Sequence, residues 1–215
     1  MKRYVCEFFG TFLLILFGCG VYVLNDDILL TSLTLGIAFL ISFYMMKSTS
    51  FCHLNPIVSF AFYTNGKMTG KEFIKCIVAQ ILGGILGALF LAFILNNINT
   101  IGDFRQTSMG VNSYSNITML GAFICVSILS LFYVFTFLLF TDNKKYSNIS
   151  GILIALSLIL VNLFGIKLIG ISANPAISIS LSLVSFKYLN QLWLFILAPL
   201  FGSAIASVIY RCLKK

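Results

Sequence analysis

Charge is what this sequence most lacks. Only 9% of its 215 residues are Asp, Glu, Lys or Arg, 60% are hydrophobic, and the mean hydropathy is +1.03. A soluble domain is nearer half apolar and a quarter charged. A chain of this size cannot hide so much apolar surface from water, so lipid must be the solvent for much of it. Histidine occurs once, at His53, which excludes a multi-histidine metal site. The six cysteines (Cys6, Cys19, Cys52, Cys76, Cys125 and Cys212) show no CxxC and no metal-like spacing. Most lie inside apolar runs and read as small buried apolar side chains rather than as disulfides or zinc ligands. No nucleophile–base set and no metal cluster is present, so neither an enzyme nor a metal or other cofactor is expected. The net charge of +8 does not point to nucleic acid, because the basic residues stand singly or in pairs between apolar runs and form no patch.

What the sequence does have is length of apolar run. Six segments are long enough to span a bilayer, which takes on the order of 20 residues. They run approximately Val5 to Leu24, Leu29 to Met46, Phe73 to Leu95, Met119 to Phe140, Gly151 to Leu168 and Leu192 to Leu213. Polar and turn residues fill the linkers: Asn25-Asp26-Asp27, Asn65-Gly66-Lys67, Asn96 to Asn116, and Thr141 to Asn148. Met1-Lys2-Arg3 entering an apolar run resembles the charged start of a signal peptide. Five further apolar segments follow, so it reads as a retained first transmembrane helix.

Two apolar stretches are too short to cross, Pro56 to Tyr63 and Pro175 to Val184, and each begins with Asn-Pro. Asparagine is a good N-cap and proline is favoured at the first helical position. Each therefore predicts a short helix that enters the membrane region and turns back. Such a break is tolerated only where the backbone is buried in protein or lines a cavity. A single Asn-Pro would read as a loop turn; these two are related by a repeat. Asn174 lies 119 positions after Asn55, and the same offset pairs Pro56 with Pro175, Ser59 with Ser178, Ala79 with Ala198 and Gly83 with Gly202. The expected fold is all-α and integral to the membrane. It is a single domain over 1–215, with six transmembrane helices and two re-entrant half-helices in an inverted repeat of approximately 1–97 and 117–215. Three spans per half is odd, so the halves insert with opposite orientation, and the interrupted segments mark the functional site.

With the N-terminus inside, Lys2, Arg3, Lys47, Lys67, Lys71, Lys75, Lys144, Lys145, Arg211, Lys214 and Lys215 are cytoplasmic, and Arg105, Lys167 and Lys187 lie outside. This bias predicts a multi-pass protein with both termini cytoplasmic. Half-helices entering from opposite faces bring their N-termini together, each with free N–H groups and a partial positive charge. The amides of Asn55 and Asn174 then offer donors to a passing oxygen, and the two dipole ends repel cations, hydronium included.

Cys52-His53-Leu54-Asn55-Pro56-Ile57 and Ser172-Ala173-Asn174-Pro175-Ala176 resemble the two asparagine-proline-alanine boxes of the aquaporin, or major intrinsic protein, family. The likeness runs the whole chain: Glu7 to Phe12 looks like the family's first-helix opening, Ala79 to Gly84 its third helix, and Trp193, Pro199, Gly202 and Tyr210-Arg211 its sixth. The resemblance, nearest in look to bacterial water-channel members, implies a plasma-membrane channel for water or small uncharged solutes. It also implies a right-handed six-helix bundle, one pore per chain and a homotetramer in the lipid bilayer. Several positions depart from the pattern. Ile57 stands where alanine is usual and is expected to narrow or reshape the midpoint. The outer filter maps by spacing to Leu35, Asn162, Ile171 and Ile177, with Ile177 where the family carries arginine, so this ring is expected to be uncharged and mostly apolar. Ser178 follows, the water-channel choice, where glycerol-type members have aspartate. Glu7 matches a buried glutamate that supports a pore loop, against an interfacial carboxylate near Lys2 and Arg3; the offset puts its mate at the apolar Val126. His53 either lines the cytoplasmic vestibule, as its family counterpart does, or bonds a loop carbonyl.

Two other functions share these features. A secondary transporter also uses inverted repeats and broken helices, but apart from Glu7 no acidic residue lies deep in a span. The second alternative is a structural membrane protein on a channel fold with a closed pore, which the apolar filter keeps open.

Overall fold

The computed structural model describes residues 1–25, 27–50, 52–98, 109–170 and 173–214. Among the described residues, six helices are long and apolar enough to cross a membrane: α1 (Lys2–Asn25), α2 (Ile28–Met46), α4 (Gly70–Asn96), α5 (Met119–Asp142), α6 (Ser150–Ile169) and α8 (Leu194–Leu213), the last preceded by a 3-10 turn at Leu189–Gln191. Between them lie the two short ones, α3 (Pro56–Thr64) and α7 (Pro175–Ser185). The ends fall within about three residues of those expected from hydropathy, the tolerance usual for such boundaries. The starts are chemically defined. Thr69 and Glu72 form a reciprocal capping box at α4, and Asp27 and Thr118 cap α2 and α5 through their side chains. Within α1, Leu14–Cys19 widens into a π turn, a feature with no signal in the sequence.

The helices are apolar outside and small or polar inside. Exposed stripes recur every turn, as with Val78, Leu82, Leu86 and Phe90 on α4, or Leu156, Leu160 and Phe164 on α6. Such stripes suit lipid, where no water penalises them. Buried positions hold Thr11, Ser32, Ser42, Ser130, Ser157 and Ser203 instead, several of them bonding a carbonyl one turn back or across a helix contact.

The repeat reappears as a repeated contact. The Cα of Gly83 in α4 sits on the carbonyl of Phe8 in α1, and that of Gly202 in α8 sits on the carbonyl of Ser127 in α5. Both partners of the first contact move by the same 119 positions to give the second. Small residues permit helix axes to approach this closely in membranes.

A side chain at either glycine meets backbone, which cannot swing away. Gly83→Leu and Gly202→Leu are each expected to destabilise the protein by about 1–3 kcal/mol, the cost of overpacking. Gly70→Ala, whose methyl meets only Tyr63 at 3.7 Å, should be close to neutral. Thermal unfolding in detergent checks the contrast, and equal melting temperatures for all three would refute it.

Candidate pore

The loop leading into α3 is held in an unusual shape. Cys52 and Leu54 both have left-handed φ, 50° and 51°, a region that costs non-glycine residues energy. Glu7 compensates. Its side chain is fully buried. One oxygen accepts the His53 N–H (3.0 Å) and the Ser50 hydroxyl (2.8 Å), and the other accepts the Leu54 N–H (2.8 Å) and the Gln80 amide (2.8 Å). Four donors on one carboxylate answer the desolvation that makes an intramembrane charge expensive.

Held this way, the loop presents Asn55. Its Oδ1 accepts the Ile57 N–H of its own half-helix (3.1 Å), and its Nδ2 donates to the Ala173 carbonyl of the opposite loop (3.2 Å). Asn174 does the same in reverse: Oδ1 accepts the Ala176 N–H (3.0 Å), and Nδ2 donates to the Leu54 carbonyl (2.8 Å). The two half-helix starts are therefore stitched together by a reciprocal pair of hydrogen bonds. Each amide carries two donor hydrogens and uses one of them among the described residues. Pro56 and Pro175 border one apolar cavity of about 320 Å³. Ile57 is fully buried, and its carbonyl accepts the Ser203 hydroxyl (2.7 Å).

The other expected positions divide. Leu35 and Ile177 lie in one buried apolar cluster with Met109, Val111 and Ile166. Asn162 is fully buried on α6; its Nδ2 bonds back to the Leu158 carbonyl (2.8 Å), and its Oδ1 has no partner among the described residues. Ile171, Ser172 and Arg105 lie outside the described residues. A cavity of about 180 Å³ is bordered by Phe43, Lys47, Ser50, Cys52, Phe62, Thr141, Ser147 and Ser150. The His53 ring is fully buried, with Nδ1 paired to the Ser59 hydroxyl (3.0 Å), and lies 4.3 Å from the Phe62 ring.

Sequence reasoning missed Asn112. This buried residue accepts the Ser178 hydroxyl (2.7 Å) and donates to the Ile169 carbonyl (2.9 Å). It supports α7 from the long connection between the halves, where the offset has no counterpart to offer. At the Glu7-equivalent position, Val126 packs against Ile169, Leu194 and Phe195, while Ser127 bonds the Ala198 carbonyl (3.1 Å).

The sequence profile of the family described as Major intrinsic protein matches residues 1–210. Two curated relatives, both named Aquaporin Z, align over nearly their whole length. The one from Rhodopseudomonas palustris is 29% identical over 224 aligned positions, covering 99% of this chain and 93% of the relative. The one from Bradyrhizobium diazoefficiens is 28% identical over 226, covering 100% and 94%. Among solved structures, the aquaglyceroporin from Plasmodium falciparum superposes with a TM-score of 0.83 at 21% identity, covering 97% of this chain and 94% of that one. At that identity the likeness speaks for the fold.

Glutamine at position 7 offers one acceptor oxygen where the loop needs two, and turns N–H groups toward donors. Glu7→Gln should lower stability by about 1–3 kcal/mol, the cost of leaving buried polar groups unpaired, whereas Val126→Ala should show only the loss of apolar packing. Comparing the detergent melts of the two, with accessibility of the vestibule thiol Cys52 as a local readout, checks this. A Glu7→Gln protein whose Cys52 stays as protected as in wild type would contradict it.

Proposed function

The chain belongs to the major intrinsic protein family and is a multi-pass membrane channel; from that premise we propose that water and small uncharged solutes pass through it passively, one by one, past the amides of Asn55 and Asn174. The observation that carries this reading is the reciprocal stitch: Asn55 to the Ala173 carbonyl and Asn174 to the Leu54 carbonyl. It fixes two donor amides at the starts of two opposed half-helices. A solute oxygen accepts the remaining amide hydrogens, so the path selects for hydrogen-bond acceptors. A cation meets the positive ends of both helices and the amide hydrogens together, and is repelled.

The outer ring is assigned to Leu35, Asn162, Ile171 and Ile177. Without arginine it lacks both a fixed charge and a strong donor, and Asn162 is its polar side chain. Water crossing an apolar ring gives up hydrogen bonds, at a cost on the order of a few kcal/mol where none are replaced. Slower water passage and easier entry for less polar neutral solutes than in arginine-bearing relatives follow from this. Proton exclusion then rests on the half-helix dipoles. We place both termini in the cytoplasm, on the lysine and arginine bias, and assign the protein to the plasma membrane as a homotetramer whose contacts use part of the exposed apolar stripes.

Stopped-flow light scattering on proteoliposomes tests the reading, with osmotic steps of sucrose and then of glycerol or urea. Shrinkage faster than in protein-free vesicles is expected, without saturation and without dependence on an ion gradient; gradient-coupled, saturable uptake would instead favour a transporter. Ile177→Arg should reduce passage of glycerol relative to water by roughly ten-fold, about 1.4 kcal/mol at the barrier. Identical solute ratios in that variant and in wild type would remove the ring from the filter.

A further inference from the structure

The cytoplasmic cavity does not continue to the asparagine pair; it ends on a layer of rings. Three helices show this by their periodicity. Phe43 on α2, Thr141 on α5 and Ser150 on α6 border the cavity. One turn deeper on each helix, about 6 Å along its axis, stand Phe39, Phe137 and Ile154, all with no exposed surface. The fourth side is closed by His53 and Phe62 from the first loop and half-helix. Phe137 is the hub of the layer: its ring centroid lies 6.1 Å from Phe39, 6.0 Å from His53, 6.0 Å from Phe62 and 6.1 Å from Tyr133. These are edge contacts with interplanar angles of 77–83°, the packing aromatic rings prefer. Of the polar groups near the layer, His53 pairs with the Ser59 hydroxyl through Nδ1 and the Thr141 hydroxyl donates to the Phe137 carbonyl. Water arriving from the cavity therefore meets mainly the apolar faces and edges of rings.

We propose that Phe137 sets an inner constriction of the pore, on the cytoplasmic side of the asparagine pair, in series with the apolar outer ring and offering the greater resistance of the two. This rests on the channel reading above. The path from Asn55 to the cytoplasmic cavity must cross between α2, α5, α6 and the Cys52–Leu54 loop, and there Phe137 meets the rings of Phe39, His53, Phe62 and Tyr133. An apolar constriction of this kind controls conduction by wetting and drying. Rotation or truncation of one hub ring opens it, while truncation of an outward-facing ring such as the exposed Phe164 leaves it closed.

The test is osmotic water and urea permeability of proteoliposomes, normalised to incorporated protein, for wild type, Phe137→Ala, Phe137→Leu and Phe164→Leu. Circular dichroism and melting in detergent establish that each is folded. Permeability should rise in the order wild type, Leu, Ala at position 137, by roughly ten-fold for Ala, about 1.4 kcal/mol of barrier, with urea gaining more than water. Phe164→Leu should behave as wild type. A wild type at the level of protein-free vesicles with a conducting Phe137→Ala supports the constriction in its closed form. Where Phe137→Ala does not fold, Phe137→Leu decides. A folded position-137 variant with unchanged water and urea permeability overturns the proposal while leaving the channel reading intact. All variants and wild type at the protein-free level would overturn the channel reading itself.

Discussion

Non-helical backbone inside a membrane fold must find its hydrogen-bond partners within the protein, and that constraint governs this structure. Two loops break at depth, and Glu7 and the two asparagines bond backbone groups of those loops. In the first half the device is a charge: Glu7 takes two backbone N–H groups and two side-chain donors. The charge is tolerable because all four bonds come from the protein. In the second half the described support is neutral, with Asn112 bonding Ser178 and the Ile169 carbonyl. The halves are thus alike in backbone and unlike in how the backbone is held.

The reciprocal asparagine bonds link those two solutions. Each half-helix is too short to be stable alone, since isolated helices of this length are marginal. Each is capped by its own asparagine oxygen and tied by the amide nitrogen to the other loop. Loss of one loop's geometry therefore removes a carbonyl from the other, which couples Glu7 to both half-helices although it touches only one loop. The glycine contacts do the corresponding work for the long helices, with Gly83 on Phe8 and Gly202 on Ser127 setting the distance at which the loops can meet.

Polar chemistry outside the core gathers at the face expected to be cytoplasmic. Asp142 at the end of α5 bonds Lys67 (2.7 Å), the Tyr210 hydroxyl and Lys214, so one carboxylate joins the ends of α3, α5 and α8. Lys47 reaches the Ser147 carbonyl, and Tyr44 donates to the Asn148 carbonyl (2.7 Å), fastening the α5–α6 connection to α2. Of these, Lys47 and Ser147 also border the 180 Å³ cavity.

Much of the fold was legible in the sequence because its signals are local or periodic. Span length follows from hydrocarbon thickness, helix starts follow from Asn-Pro and Thr-x-x-Glu, and the offset of 119 declares the repeat. Asn55 and Asn174 announce themselves by the same local chemistry, and Glu7 stands out because a carboxylate so close to a long apolar run needs a reason. What the sequence could not supply was anything depending on which side chains meet across the bundle. Asn112 sits in a connection without a repeat partner, His53 meets Ser59 and the Phe62 ring, and α1 shifts its register through a π turn. Phenylalanine occurs 22 times and looks the same in every run. Hydropathy scores Phe90 and Phe137 alike, yet the first is exposed to lipid and the second is fully buried at the hub of an aromatic layer. A residue's partition into lipid is a property of its own surface and so is written in the sequence. Whether an apolar residue coats the bundle or closes its interior is decided by packing of four separate segments, and only the tertiary structure brings them together.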